Sequence, residues 1–275
     1  MTERTYTTPA GVIHYWVTQP AKPQAVQLVF LPGLTADHRL FEKQIAYFKD
    51  TYTILVWDAP GHAASYPFDL SFDLFDEATW LRQILLHEGM TAPVIIGQSK
   101  GGYVGQVYAE LFPEELKGLV LIDSPSLQRQ YYTAIELWLL TKLTPIYKLC
   151  PWKYLLQAGA KGVAVTEYGQ QLMRDMMMVY AGNQKRYAEL AGHGYTILAK
   201  AVQKNLPYKL TCPHMILCGT EDRAGSCVRY IKAYQKTTAE PVHWIANAGH
   251  NSNTDQPDIV NTLLDTFVTQ TLRPN

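Results

Sequence analysis

A serine set between two glycines, Gly97-Gln98-Ser99-Lys100-Gly101, is the stretch of this chain best suited to chemistry. Val94 to Ile96 precede it as an apolar, mostly β-branched run, which suits a strand covered on both faces. Tyr103, Val107 and Leu111 follow at intervals of four, the spacing of one helix face. In a strand-turn-helix this pattern is a nucleophile elbow. The serine sits at the apex in strained backbone, hydroxyl exposed, with a helix N-terminus behind it. The glycines are required because a Cβ would strike the strand or the helix. The plainer reading is a glycine-punctuated strand end with an N-capping serine. The strand before and the helix after favour the nucleophile. A serine hydroxyl reacts poorly at neutral pH, so it needs a base, an acid to orient that base, and donors aimed at the oxyanion.

The elements that must position these groups are legible from hydrophobic period. Arg4–Thr7 and Val12–Thr18 read as two strands forming an antiparallel sheet edge. Residues Gln19 to Gln24, with two prolines, read as a surface connection. Val26–Leu31 and Thr53–Trp57 read as buried strands. An amphipathic helix over Arg39–Lys49 turns Leu40, Ile45 and Phe48 inward. A second helix over Phe75–Glu88 carries Trp80, Ile84 and Leu85 on one side. Strand Gly118–Ile122 follows the elbow helix. Such alternation predicts a mostly parallel sheet with helices on both faces. Ligands then belong beyond the carboxyl ends of the strands, where Pro32-Gly33, Asp58, Ser99 and Asp123 all fall.

The alternation breaks after residue 124. From 125 to 206 no strand is evident, and helices are expected over Tyr131–Thr141, Ile146–Leu156, Glu167–Tyr180 and Gln184–Gln203. This segment reads as a helical lid inserted into a core made of residues 1–124 and 207–275. The sheet resumes with His214–Cys218, a helix near Cys227–Gln235, strand Val242–Ile245 and a last helix over Asp258–Leu272.

The chain has 275 residues, 47% hydrophobic and 17% charged, with zero formal net charge. That composition is globular, and the length can bury a large core. Neutrality argues against nucleic acid or an anionic membrane surface as the main partner. The N-terminus lacks a basic stretch followed by an apolar one, and the apolar runs are too interrupted to span a bilayer. Cys150, Cys212, Cys218 and Cys227 form no paired framework, which suits free thiols in a reducing, cytoplasmic setting.

Five pieces in order, Phe30-Leu31-Pro32-Gly33-Leu34, Asp58-Ala59-Pro60-Gly61-His62, Gly97-Gln98-Ser99-Lys100-Gly101, Gly219-Thr220-Glu221-Asp222 and Gly249-His250, resemble the α/β-hydrolase superfamily. The resemblance runs from about Val26 to the last helix. It is closest in kind to lid-bearing serine hydrolases of the esterase, iminopeptidase and menaquinone-synthase groups. It implies an α/β-hydrolase fold and a triad in the order serine, acid, histidine. His250, just past a strand and before the last helix, then takes the place of the base; the other seven histidines match no such position. Asp222 takes the place of the acid, with Asp123 as a rival because some members carry the acid there. The oxyanion donors fall to the backbone N–H groups of Leu34 and Lys100. Pro32 stands where the family often has histidine, which leaves a main-chain donor intact. Asp58 to His62 reads as scaffold beside the pocket.

Lys100 is an unusual neighbour for the nucleophile. Its stem packs while its head reaches water or a carboxylate such as Asp123, or else it meets an anionic substrate. The lid carries Tyr131, Tyr132, Trp138, Tyr147, Trp152, Tyr154 and four methionines among residues 173–178, which as a set suit a mainly apolar small-molecule pocket. The expectation is a serine hydrolase that cleaves a carboxylic ester or related acyl bond and uses neither metal nor organic cofactor. Rivals on the same triad are an iminopeptidase-like aminopeptidase, a carbon–carbon bond hydrolase or a lyase. A non-catalytic binding module is the rival from another class. Dehalogenases and most epoxide hydrolases of the superfamily use aspartate as nucleophile, so Ser99 disfavours both.

Overall fold

A computed structural model describes residues 1–18 and 26–272. The expected connection Gln19–Gln24 lies outside the described residues. Among those described, eight strands form one sheet in the order β1-β2-β4-β3-β5-β6-β7-β8. These are β1 (Thr2–Thr8), β2 (Gly11–Val17), β3 (Gln27–Leu31), β4 (Thr53–Trp57), β5 (Val94–Gln98), β6 (Gly118–Ile122), β7 (His214–Gly219) and β8 (Val242–Ile245). β1 and β2 pair antiparallel, β2 joins β4 antiparallel, and the rest of the sheet is parallel. This is the α/β-hydrolase fold.

Period-two alternation sorts the central strands into two cores. Val29, Leu31, Ile95, Leu119 and Leu121 face one side. Leu28, Phe30, Val94, Ile96, Val120 and Ile122 face the other. Both sides are covered, so the strands are apolar throughout. The first face packs against α2 (Leu74–His87), α3 (Lys100–Leu111), α9 (Cys227–Thr238) and the C-terminal half of α8 (Gln184–Gln203). The second packs against α1 (Glu42–Phe48), α7 (Glu167–Met177) and α11 (Pro257–Leu272). Each fully buried aliphatic side chain stabilises the fold by about 1.5–3 kcal/mol.

Between β6 and β7 the chain forms α4 (Ala134–Leu140), α5 (Thr144–Leu149), α6 (Trp152–Val163), α7 and α8. The helix expected over Ile146–Leu156 is two helices. Pro151 occupies the N-cap of α6 with ψ 139°, and proline at that point cannot continue α5. The helix expected over Arg39–Lys49 begins as a 3-10 turn, His38–Phe41, capped by the Asp37 side chain. Nor is α3 amphipathic. Gly101, Gly102, Val104 to Ala109 are all buried while Leu111 is exposed, because the elbow helix is enclosed by the sheet, α2 and α8. A short helix, α10 (Ser252–Asp255), precedes α11.

Candidate active site

Ser99 follows β5 with φ 49° and ψ −116°, outside the ordinary regions for a residue with a Cβ. Neighbours hold that strain. Ser99 N donates to the Ile122 carbonyl at 2.9 Å, and the Ser99 carbonyl accepts from Gly102 N at 2.9 Å and Ser124 Oγ at 2.8 Å. A Cβ at Gly97 would stand 2.4 Å from Gly102 N, and one at Gly101 would stand 1.9 Å from the Leu31 carbonyl oxygen. Only glycine allows the strand, the turn and α3 to approach this closely.

His250 sits in the loop between β8 and α10. Its carbonyl accepts from Gln98 Nε2 at 2.7 Å, and the preceding Gly249 N donates to Asp255 Oδ2 at 2.8 Å. The ring is thereby aimed at the elbow. Nε2 lies 2.8 Å from Ser99 Oγ, and Nδ1 lies 2.8 Å from Asp222 Oδ2. Assigning the proton to Nδ1 lets the ring donate to Asp222 and accept from the serine hydroxyl. Asp222 is itself steadied by Ala224 N, which donates to Oδ1 at 2.7 Å. Burial disfavours the imidazolium, yet the Asp222 charge and hydrogen bond outweigh it and raise the His250 pKa above 6.5. For Asp222, burial pushes upward, but the facing imidazole prevails and holds the carboxyl below its usual range.

Asp123 lies close by and makes different bonds. It accepts from Gly219 N at 2.7 Å and from Ser252 N at 2.9 Å, bracing β6 to β7 and α10. Burial first, then the neighbouring Asp222 charge, push its carboxyl up to about 7 against the opposing pull of His250. The carboxylate that Lys100 meets is Glu77 of α2, at 2.6 Å, and not Asp123. The first residue of α3 projects sideways onto the helix packed against it.

Leu34, after β3, and Lys100, at the head of α3, bring their N–H groups to the same loop cluster. Among the described residues no protein acceptor takes either one. A Cβ at Gly33 would fall 2.2 Å from Gln98 Oε1, so glycine is what lets the Leu34 loop close on the elbow. Two cavities meet at Ser99 and His250. One, about 270 Å³, is lined by Tyr147, Leu155, Val163, Met173 and Tyr187. The other, about 330 Å³, is lined by Tyr103, Leu139, Leu143, Leu198 and Tyr230. Leu34, Tyr195 and Ala224 belong to both. A wider, open groove of about 1090 Å³ beside Phe68 and Arg186 does not reach Ser99. It lacks the nucleophile and base that the smaller cavities share.

Of the groups singled out in the sequence, Ser99, His250 and Asp222 come together, and Leu34 and Lys100 flank them. Glu77, Gln98, Tyr195 and Asp255 were not anticipated. Glu77 had a signal, since it lies on the apolar stripe of α2 with Leu74, Ala78 and Leu81, where a glutamate needs a buried partner. Asp255 accepts from Gly249, Val165 and Thr166 N–H groups, tying the His250 loop to the start of α7. Nothing local in sequence marks a bond across ninety residues.

A profile of the alpha/beta hydrolase family matches residues 28–263. The chain belongs to that family. It is similar to 3-oxoadipate enol-lactonase 2 of Acinetobacter baylyi, 23% identical over 240 residues that cover 85% of either chain. It is also similar to epoxide hydrolase 4 of Homo sapiens, 25% identical over 265 residues that cover 84% of this chain and 68% of that one. Its structure resembles an esterase from Thermogutta terrifontis, with a TM-score of 0.80 and 18% identity, covering 99% of this chain and 100% of the other. Family and relatives alike support hydrolase activity on a small molecule.

Proposed function

We propose that this protein is a serine hydrolase that cleaves carboxylic esters, open-chain or cyclic, of small, largely apolar molecules. The observation that carries the reading is the unbroken chain of two 2.8 Å contacts from Ser99 Oγ through His250 to Asp222, placed where two apolar cavities meet. Ser99 attacks the carbonyl carbon while His250 Nε2 takes the hydroxyl proton, and Asp222 stabilises the imidazolium. The N–H groups of Leu34 and Lys100 receive the oxyanion. The imidazolium returns its proton to the leaving alkoxide, and water, activated by the same imidazole, releases the acid. The helical segment 125–206 serves as the lid, since α5, α6, α7 and α8 supply much of the cavity wall.

An aminopeptidase would need a lid carboxylate to hold the free amine of its substrate. Glu136 lines the larger cavity, but its carboxylate is held by Arg229 and by the Thr133 N-cap, where Thr133 N donates at 2.9 Å. A carboxylate engaged in this way is poorly placed to bind a substrate amine. The test is a panel of p-nitrophenyl esters of rising acyl length, five- and six-membered lactones, and amino-acyl anilides, run on wild type and Ser99→Ala. Ester or lactone turnover that disappears in Ser99→Ala supports the proposal. Turnover surviving that change, or anilides hydrolysed in preference, contradicts it.

A further inference from the structure

The outer surface of α4 to α6 is apolar where helices of this kind usually face water with polar side chains. Ile135 is 70% exposed and Leu149 83%, and Trp138, Ile146 and Tyr154 are more than half exposed. These are not scattered. Ile135, Trp138 and Leu139 run along the outward side of α4 and Ile146 and Leu149 along that of α5, while the inward sides of both helices pack on α8. On α6, Tyr154 is exposed as well. A contiguous exposed apolar patch marks an interaction site.

Charge narrows the partner. The chain is neutral as a whole, yet the segment from α4 to α6 carries Lys142, Lys148, Lys153 and Lys161 against one acid, Glu136, which is paired with Arg229. All four lysines are exposed. Lys142 lies over the Trp138 ring and Lys153 over the Tyr154 ring, so these cations sit on the apolar surface itself. Among the described residues, Lys148 alone of the four has a carboxylate in reach, Glu189 at 3.1 Å. Whole-chain neutrality argues against an anionic membrane only if the charge is spread evenly, and here it is not. Amphipathic helices with tryptophan, leucine and isoleucine beside lysines rest in the headgroup region of anionic bilayers.

We infer that α4 to α6 form a peripheral docking surface for anionic lipid. The surface adjoins the proposed active site, because Leu139 is half exposed and also lines the larger cavity, as exposed Ala158 does the smaller. Apolar esters dissolved in the bilayer then reach Ser99 without crossing water. No described helix is long and apolar enough to cross a membrane, so the contact is at the surface. What the surface delivers rests on the hydrolase reading; whether it binds does not.

The test is flotation of the full chain with vesicles of phosphatidylcholine alone or mixed with phosphatidylglycerol. Binding is expected to the mixed vesicles only, and to weaken with added sodium chloride. Lys142→Gln with Lys153→Gln should weaken it about fivefold per lysine. Ile146→Ser with Leu149→Ser should weaken it more than tenfold, while turnover of soluble p-nitrophenyl acetate stays within about twofold. Ser99→Ala should bind vesicles like wild type, which separates failure of docking from failure of the hydrolase reading. Absence of binding to mixed vesicles, or equal binding to both kinds, overturns the inference. So does a dimer in sedimentation equilibrium that Leu149→Ser dissociates, since the patch would then belong to a second copy.

Discussion

Lys100 Nζ lies 2.6 Å from Glu77 Oε2, with the lysine side chain 6% exposed and the glutamate fully enclosed. The cation beside the nucleophile is therefore balanced where it sits, and it faces α2 more than any substrate. Burial raises the Glu77 pKa, and Lys100 opposes that rise. The second carboxylate oxygen of Glu77 has no partner among the described residues.

Removing one member of this pair should leave an uncompensated buried charge. Lys100→Met is expected to lower the unfolding free energy by about 3–5 kcal/mol, read by urea denaturation. Lys100→Met combined with Glu77→Leu should recover most of that loss. The kcat/KM–pH curve of the double variant should keep its shape, because the pair contributes no net charge before or after. A shifted curve would assign Lys100 an electrical influence on catalysis.

The imidazole of His250 acts as a base only when neutral, and its pKa is raised by Asp222. Activity should therefore fall as pH drops through a midpoint above 6.5. Asp222→Asn removes both the charge and the orienting acceptor. Its kcat is expected to drop by about 10⁴-fold, with the midpoint moved to lower pH. Stopped assays across pH 5–9 on an activated ester check both effects (the range is about 1.5–2.5 units either side of the unperturbed imidazole). A variant at Asp123 that reproduced these changes while Asp222→Asn did not would reassign the acid.

His62 is 1% exposed, and burial with the Lys100 charge lowers its pKa to about 3. The unfolded chain takes up a proton below about 6.5 that the folded chain refuses. The stability this histidine contributes is thus complete above about 6.5 and is lost as pH falls toward 3. Each pH unit inside that window should cost about 1.4 kcal/mol. Urea unfolding at several pH values should give a slope shallower by about that amount in His62→Gln. Equal slopes would mean that His62 ionises within the fold.

Two glycines should respond to alanine in opposite directions. At Gly101 the new methyl would overlap the Leu31 carbonyl, and a loss above about 4 kcal/mol is expected. At Gly162, inside α6, nothing lies within 4 Å, and alanine should stabilise by about 0.5–1 kcal/mol. Thermal melts of the two variants decide this.

How far these features were legible follows from how local their causes are. The elbow is local, because strand, turn and helix must meet within a few residues, so Gly97, Ser99 and Gly101 announce it. The alternation of β3 to β6 with helices is local too. The break at Cys150-Pro151 was legible in principle, since proline forbids a continuous helix there, yet the apolar spacing on either side masked it. Leu111 misled because a helix enclosed on all sides shows no reliable stripe. The partner of Lys100 was not legible, since it depends on how α2 packs against α3. Asp255 was hidden for the same reason.

Covalent labelling with a fluorophosphonate, mapped by peptide mass, tests the proposed chemistry most directly. One modified site, Ser99, is expected, with labelling abolished by Ser99→Ala and slowed at least about a thousandfold by His250→Ala. Labelling at another residue, or undiminished labelling without His250, would contradict it.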